Sequence, residues 1–344
     1  MAMRWFGRSG RRAGPGLAVA LLLSLGAPGL ARAQAPAQPG PVQPALSYPE
    51  RPIRLIVATA AGGASDIVAR TVGQKLTELW GQPVVVDPRP GANGNVAALL
   101  AAGAPPDGYT LMMGTIGVMA VNRAIYRDIG FDPARDFEPV ARLVSFANLL
   151  VVHPSVPVTN LREFVAYARA NPGLTYGSPG SGGSLHLAMV VLSQVAGIQT
   201  EHVPYRGAAL ALNDLVAGNI RSAFSDPLVT LPQVEAGRVR ALAVSGRNRL
   251  PTAPDVPTVA EAGYPGYEVS GWLGIVAPRG TPAPIVARLN AALNGIVRQP
   301  DTAARLVGQG AEVVTGTPEE FGAFIRAEIE RWAKVAAETG MRAE

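Results

Sequence analysis

The chain of 344 residues contains no cysteine and only three histidines, and charged residues make up 16% of it. Without cysteine there is no disulfide framework, no thiolate metal site and no lipid-modified N-terminal cysteine of a lipoprotein. His153, His186 and His202 are scattered without the His-Glu-x-x-His spacing that puts two imidazoles on one helix face, so a zinc hydrolase is not expected. The Gly-x-x-x-x-Gly-Lys phosphate loop, the Gly-x-Gly-x-x-Gly dinucleotide turn and the Gly-x-Ser-x-Gly nucleophile elbow are also missing. No catalytic residue, cofactor or metal is therefore expected.

No apolar run is long enough to span a bilayer, which takes about 20 residues. The longest, Leu17 to Leu25, follows Arg4, Arg8, Arg11 and Arg12 and precedes Ala31-Arg32-Ala33, a small-x-small cleavage pattern. Residues 1–33 thus read as a signal peptide. Arg11-Arg12 lacks the apolar pair that twin-arginine export asks for, so general secretion to the periplasm is expected. The leader also accounts for the chain's basic balance. Of 30 Lys and Arg, five lie in residues 1–33 with no acids among them, which leaves 25 positive against 25 negative charges. A neutral body without a basic, aromatic-interleaved patch gives no reason to expect nucleic acid as a partner.

Residues 34–47 are rich in Pro and read as a linker. The folded body should begin near Tyr48, and its length suits two domains. Short apolar runs alternate with helical periods: strands are expected at Ile53–Val57, Val84–Val86, Leu111–Met113, Leu149–Val152, Arg221–Phe224 and Ala241–Val244. Helices are expected from near Ser65 and near Ser184. Asn160 with Glu163, and Thr317-Pro318-Glu319-Glu320, carry helix-start signals. In the final helix Phe321, Ile325, Ile329, Trp332 and Ala336 share a core-facing stripe.

Two glycine-and-hydroxyl loops stand out, each between an apolar strand and a helix start. One runs Thr59-Ala60-Ala61-Gly62-Gly63-Ala64-Ser65-Asp66, the other Ser178-Pro179-Gly180-Ser181-Gly182-Gly183-Ser184. Unpaired N–H groups at the positive end of a helix form an anion cradle that needs no lysine, metal or base. A third turn at Met113-Gly114-Thr115 adds Thr115. The candidate contacts are Thr59, Ala61, Gly62, Gly63, Ser65, Asp66, Thr115, Ser178, Gly180, Ser181, Gly182, Ser184, His186 and Asp226. Each has a plainer reading. Ser65, Ser184 and Asp226 can be helix caps, the glycines can serve only a turn, Asp66 can serve the helix dipole, and His186 can be an ordinary hydrogen-bonded side chain. Arg89 and Arg206 are left aside as solvated loop arginines. A serine hydrolase using Ser181 or Ser184 with His186 is the alternative.

The chain resembles the Bug or TctC type of periplasmic solute receptor of tripartite tricarboxylate transporters. The resemblance runs from Tyr48-Pro49-Glu50-Arg51-Pro52-Ile53 nearly to the C-terminus, through Asp87-Pro88-Arg89-Pro90-Gly91-Ala92, Pro106-Asp107-Gly108-Tyr109-Thr110, His202-Val203-Pro204-Tyr205-Arg206-Gly207 and Asp255-Val256-Pro257-Thr258. It implies a two-lobed α/β fold of the type II periplasmic-binding-protein class, each lobe a mixed sheet flanked by helices, with the ligand in the cleft between them. Residues 48–149 and 271–344 would form lobe 1 and residues 150–270 lobe 2, with crossings near Ser145–Val151 and Glu268–Ile275. It also implies a small organic acid as ligand, a membrane permease as partner, a monomeric state, and a carboxylate at Asp226 facing the far end of the ligand. The first loop departs from the family's prolines at Ala58-Thr59-Ala60-Ala61, where Thr59 either adds a hydroxyl or fills space.

Overall fold

The computed structural model describes residues 47–343 except 206 and 309. The expected signal peptide, residues 34–46 of the expected linker, and Arg206 lie outside the described residues. The chain runs β1 (Ile53–Val57), α1 (Ala64–Trp80), β2 (Val84–Pro88), α2 (Asn95–Ala102), β3 (Thr110–Thr115), a π-type turn over Gly117–Val121, α3 (Asn122–Ile125) and β4 (Phe137–Ala147). It continues through β5 (Leu149–Val152), α4 (Leu161–Ala170), β6 (Leu174–Ser178), α5 (Ser184–Ala196), β7 (Thr200–Pro204), α6 (Ala208–Val216), β8 (Ser222–Ser225), α7 (Pro227–Glu235) and β9 (Arg240–Val244). It ends with β10 (Ser270–Pro278), α8 (Ala283–Arg298), α9 (Pro300–Gly308), β11 (Ala311–Val313) and α10 (Pro318–Thr339). Among the described residues no helix is long and apolar enough to cross a membrane.

The strands form two mixed sheets, a six-stranded one in the order β11-β4-β10-β3-β1-β2 and a five-stranded one in the order β7-β6-β8-β5-β9. β1 is parallel to β2 and β3, and β6 to β7 and β8, as right-handed strand-helix-strand crossovers require. The reversed strands are β10 and β11 in the first sheet and β5 in the second. Helices cover both faces. Val68, Val72 and Leu76 of α1 and Leu289, Leu293 and Ile296 of α8 pack on one face of the first sheet, with Leu55 and Met113 beneath them. A second apolar cluster runs through both sheets, from Ile56 and Met112 to Leu150 and Phe224, and takes in Phe321, Ile325 and Trp332 of α10. Strands covered on both sides read as unbroken apolar runs, which is why the central β10, all buried but for its first residue, carries no alternating signal.

The sharpest local signals lie at helix starts. Asn160 Oδ1 accepts from the Glu163 N–H at 2.9 Å. At α10 the Thr317 hydroxyl accepts from Glu320 N–H at 3.2 Å while the Glu320 carboxylate accepts from Thr317 N–H at 2.8 Å, a complete capping box.

One residue, Asn148, separates β4 of the first sheet from β5 of the second. It is stitched there by its N–H to Ser245 Oγ and by the Ser245 N–H to its carbonyl, both at 2.8 Å. Ser245 Oγ in turn donates to the Val269 carbonyl at 2.6 Å, and Val269 N–H returns to the Ser245 carbonyl at 2.8 Å. Three chain segments thus lie side by side where the chain passes between the sheets, once at Asn148 and once between β9 and β10.

Candidate functional site

Each expected loop leaves the carboxyl end of a parallel strand: residues 58–63 follow β1, residues 179–183 follow β6, and Thr115 closes β3. In open α/β sheets this is where ligands collect. Ser65 and Ser184 do not cap their helices. Gly63 and Gly183 hold the N-cap positions, with no side-chain cap, so the hydroxyls belong to the first turn. Asp226 stands at the N-cap of α7, yet its carboxylate makes no cap bond. The capping reading fails for all three because the chain enters each helix one or two residues earlier, or turns the side chain away.

The expectation that the glycine amides face the cleft also needs correcting. Gly62 N–H is taken by Asp66 Oδ2 at 3.0 Å, Gly180 N–H by Ser178 Oγ at 3.3 Å and Gly182 N–H by His186 Nδ1 at 3.2 Å. Positive φ at Gly62 (87°) and Gly182 (86°) folds each loop back on its own helix, which brings the amide onto a side chain four residues ahead. The open donors are the first-turn amides, Ala64 to Asp66 and Ser184 to His186, which have no carbonyl one turn back to bond. Among the described residues the N–H groups of Thr59, Ala61, Gly63, Ser181 and Gly183 also lack a backbone acceptor.

Asp66 is buried, and burial opposes its ionisation. Hydrogen bonds from Arg70 Nε at 2.9 Å and Gly62 N–H outweigh that and hold its carboxyl below the usual range. Its charge is thereby paired and does not oppose an incoming anion in full. Its second oxygen, Oδ1, is buried without a partner, as is the Thr59 hydroxyl. Thr115 Oγ1 accepts a long bond of 3.4 Å from Val118 N–H, and Ala61 is exposed.

The second loop rests on a stack of rings. His186 and His202 lie 4.4 Å apart between centroids, and Tyr176 stacks on His202 at 5.0 Å. Burial lowers both imidazoles, His186 to about 3, with the neighbouring His202 adding to the effect, and His202 to about 4. Both are neutral near pH 7. Because His186 Nδ1 accepts from Gly182, its proton sits on Nε2. His202 Nε2 lies 2.7 Å from the Ser178 hydroxyl, which also reaches the Gly180 carbonyl at 3.0 Å. The serine-histidine contact is therefore Ser178 with His202, and Ser178 is fully buried. His186 is held by Gly182, not by Ser181 or Ser184.

Loop two also touches the first sheet's half. A Cβ on Gly182 would lie 2.6 Å from Ile125 Cδ1, 3.0 Å from Asn93 Nδ2 and 3.3 Å from Asn122 Oδ1. Asn93, with φ of 48°, donates to Asn122 Oδ1 at 2.8 Å, and the fully buried Asn122 donates to Asn95 Oδ1 at 2.6 Å. On the other side Asp226 and Pro227 share a small cavity with Ala64 and Val68 of α1, Phe146 of β4 and Leu273 of β10. Part of Asp226 stays accessible, but protein crowds it closely enough that desolvation raises its pKa to about 6. Among the described residues no group of three or more His, Asp or Glu could hold a metal ion.

Sequence reasoning missed Asn93, Asn122, Asn148 and His202 as parts of this region. The Gly91-Ala92-Asn93-Gly94 run could have flagged a left-handed turn. His202 becomes relevant only because β6 and β7 pair in a register that sets it beside Tyr176.

A profile of the tripartite tricarboxylate transporter family receptor matches residues 68–341. The chain belongs to this family. A Pseudomonas sp. (strain P51) member, the UPF0065 protein of the tcbD-tcbE intergenic region, is 39% identical over 299 residues, covering 86% of this chain and 89% of that protein. Among solved structures, R. palustris Rpa4515 with adipate is 40% identical with a TM-score of 0.82, over 86% of this chain and 99% of that one. MatC (Rpa3494) from Rhodopseudomonas palustris with bound malate is 34% identical with a TM-score of 0.79, over 84% and 99%. The fold, two mixed sheets flanked by helices, is that of family members whose structures hold carboxylates.

Proposed function

We propose that this protein is a periplasmic receptor that closes two lobes on one small organic carboxylate and delivers it to a membrane permease of the tripartite type, acting as a monomer and without turnover. In this reading residues 48–149 and 271–344 form one lobe and 150–270 the other, in keeping with the membership of the two sheets. The observation that carries the reading is the pair of helix first turns, at Ala64–Asp66 and Ser184–His186, that open at strand carboxyl ends in different sheets with the buried Thr59 Oγ1 and Asp66 Oδ1 left unpartnered. Two positive dipole ends with free amides favour an anion between them.

In this scheme Ser65, Thr115, Ser181, Ser184 and His186 Nε2–H supply donors, Gly63 and Ala61 backbone amides, and Asp226 the far wall. The N–H groups of Gly62, Gly180 and Gly182 shape the loops instead of binding. A shift from 1:99 to 99:1 in favour of the closed form takes about 5.5 kcal/mol of differential affinity. Charge-assisted bonds of about 1.5–3 kcal/mol each can supply that from a handful of contacts.

The test is native mass spectrometry of freshly purified protein, followed by a thermal-shift screen of mono- and dicarboxylates. A ligand at 100 times its Kd should add about 2.7 kcal/mol of stability and be recovered chemically unchanged. Turnover of a model ester, or no response to any carboxylate, would overturn the reading.

A further inference from the structure

Asn148 is wholly inaccessible, and both ends of its side-chain amide lack a hydrogen-bond partner. Such an arrangement is costly in a folded protein, because an amide stripped of water and left unbonded loses both its donor and its acceptor interactions. The crossing strands offer it nothing. Ser245 Oγ already gives its proton to Val269, and Ser225 Oγ accepts from Thr230 Oγ1 at 2.7 Å. β5 pairs with β8 antiparallel, Leu149 opposite Ser225, so the next step of the ladder sets Asn148 level with Asp226. Asp226 lines the cavity against α1, makes no cap bond and, among the described residues, likewise has no side-chain partner. Among the described residues two polar side chains, one neutral with both donor and acceptor and one acidic, thus stand unpartnered at the crossover, and the cavity that Asp226 lines opens against Ala64 in the first turn of α1.

Building on the receptor reading above, we infer that Asn148 is a ligand-contacting residue, and that with Asp226 it selects a solute bearing one carboxylate and, at its far end, a neutral group that both donates and accepts, a carboxamide above all. The carboxamide N–H donates to Asp226 and its carbonyl accepts from Asn148 Nδ2, while Asn148 Oδ1 takes the second N–H. A second, ionised carboxylate in that position would supply no donor and would face the Asp226 carboxylate, so dicarboxylates bind more weakly than their monoamides.

The experiment measures affinities of matched pairs (succinate and succinamate, glutarate and glutaramate, adipate and adipamate) for wild type, Asn148→Leu and Asn148→Ala at pH 7.5, by titration calorimetry and thermal shift. Wild type should prefer at least one monoamide over its dicarboxylate by tenfold or so, the worth of one good hydrogen bond. Asn148→Leu, close in shape, should raise the melting point of the ligand-free protein by about 2 °C, through loss of the unbonded amide, while removing that preference. Stabilisation without loss of the preference would overturn the role of Asn148, as would a dicarboxylate preference in wild type or destabilisation of ligand-free Asn148→Leu and Asn148→Ala alike. If wild type responds to none of the six acids, the selection assigned to Asn148 and Asp226 falls, while the receptor reading is decided separately by the wider carboxylate screen.

Discussion

Replacing Asp226 by Asn should stabilise the ligand-free protein, and by an amount that depends on pH in a defined way. Burial raises the Asp226 pKa from 3.8 to about 6. The folded protein therefore holds this proton where the unfolded chain has released it, and stability falls as pH rises through that window. A shift of some two units corresponds to about 3 kcal/mol of stability, present in full below the unfolded value and lost in full above pH 6 or so. Asn mimics the protonated carboxyl in shape and charge, so the variant should match wild type near pH 3.5 and exceed it at pH 7.5. For a body of this size 3 kcal/mol is about 5 °C in melting temperature. The assay is a set of thermal or urea melts of both proteins from pH 3.5 to 8, read as the difference between the two curves, which cancels the titration of every other group. A difference that stays flat with pH, or that favours wild type at pH 7.5, would refute the claim that the cleft holds this carboxylate in a desolvated place.

The histidine stack predicts the opposite slope. With folded values of about 3 and 4 against an ordinary 6.5, His186 and His202 contribute stability that is complete above pH 6.5 and lost as pH falls, so His202→Asn should flatten the acid limb of the wild-type curve. Gly182→Ala should lower affinity for any carboxylate ligand at least tenfold or so by holding the halves apart, while Gly173→Ala, at a φ of 84° with nothing within 4 Å of the new Cβ, should leave affinity unchanged despite similar backbone strain. Equal losses in isothermal titration would assign the effect to strain alone. Thr317→Ala should cost about 1 kcal/mol in urea unfolding through loss of the α10 capping box and leave binding untouched.

Much of the proposed site was legible because its signals are local. A glycine-hydroxyl run between an apolar strand and an apolar helix marks a loop at a strand end, and Thr59, Ser65, Thr115, Ser181, Ser184 and His186 all come from such runs, whereas Asp226 came only with the family resemblance. What each atom does was not legible. Whether Gly182 N–H faces a ligand or His186 depends on a left-handed turn and on how that ring is packed under the loop by Tyr176 and His202. Asn148 illustrates the limit most plainly: in Phe146-Ala147-Asn148-Leu149 nothing separates it from a surface residue.

By itself the sequence determined the strand-helix alternation, the helix starts at Asn160 and Thr317 and the buried stripe of α10, because hydrophobic period and capping chemistry act over three or four residues. It also carried the family resemblance that the profile match established. Only the tertiary structure decided that β4 and β10 run as long antiparallel strands at the centre of the first sheet, since strands buried on both faces lose their alternation. It alone decided which amides stay unbonded, that Ser178 meets His202, and that Asn148 lies level with Asp226. Those outcomes depend on which distant segments share a ladder, and a hydrogen bond is decided by the partner that arrives, not by the residue that waits for it.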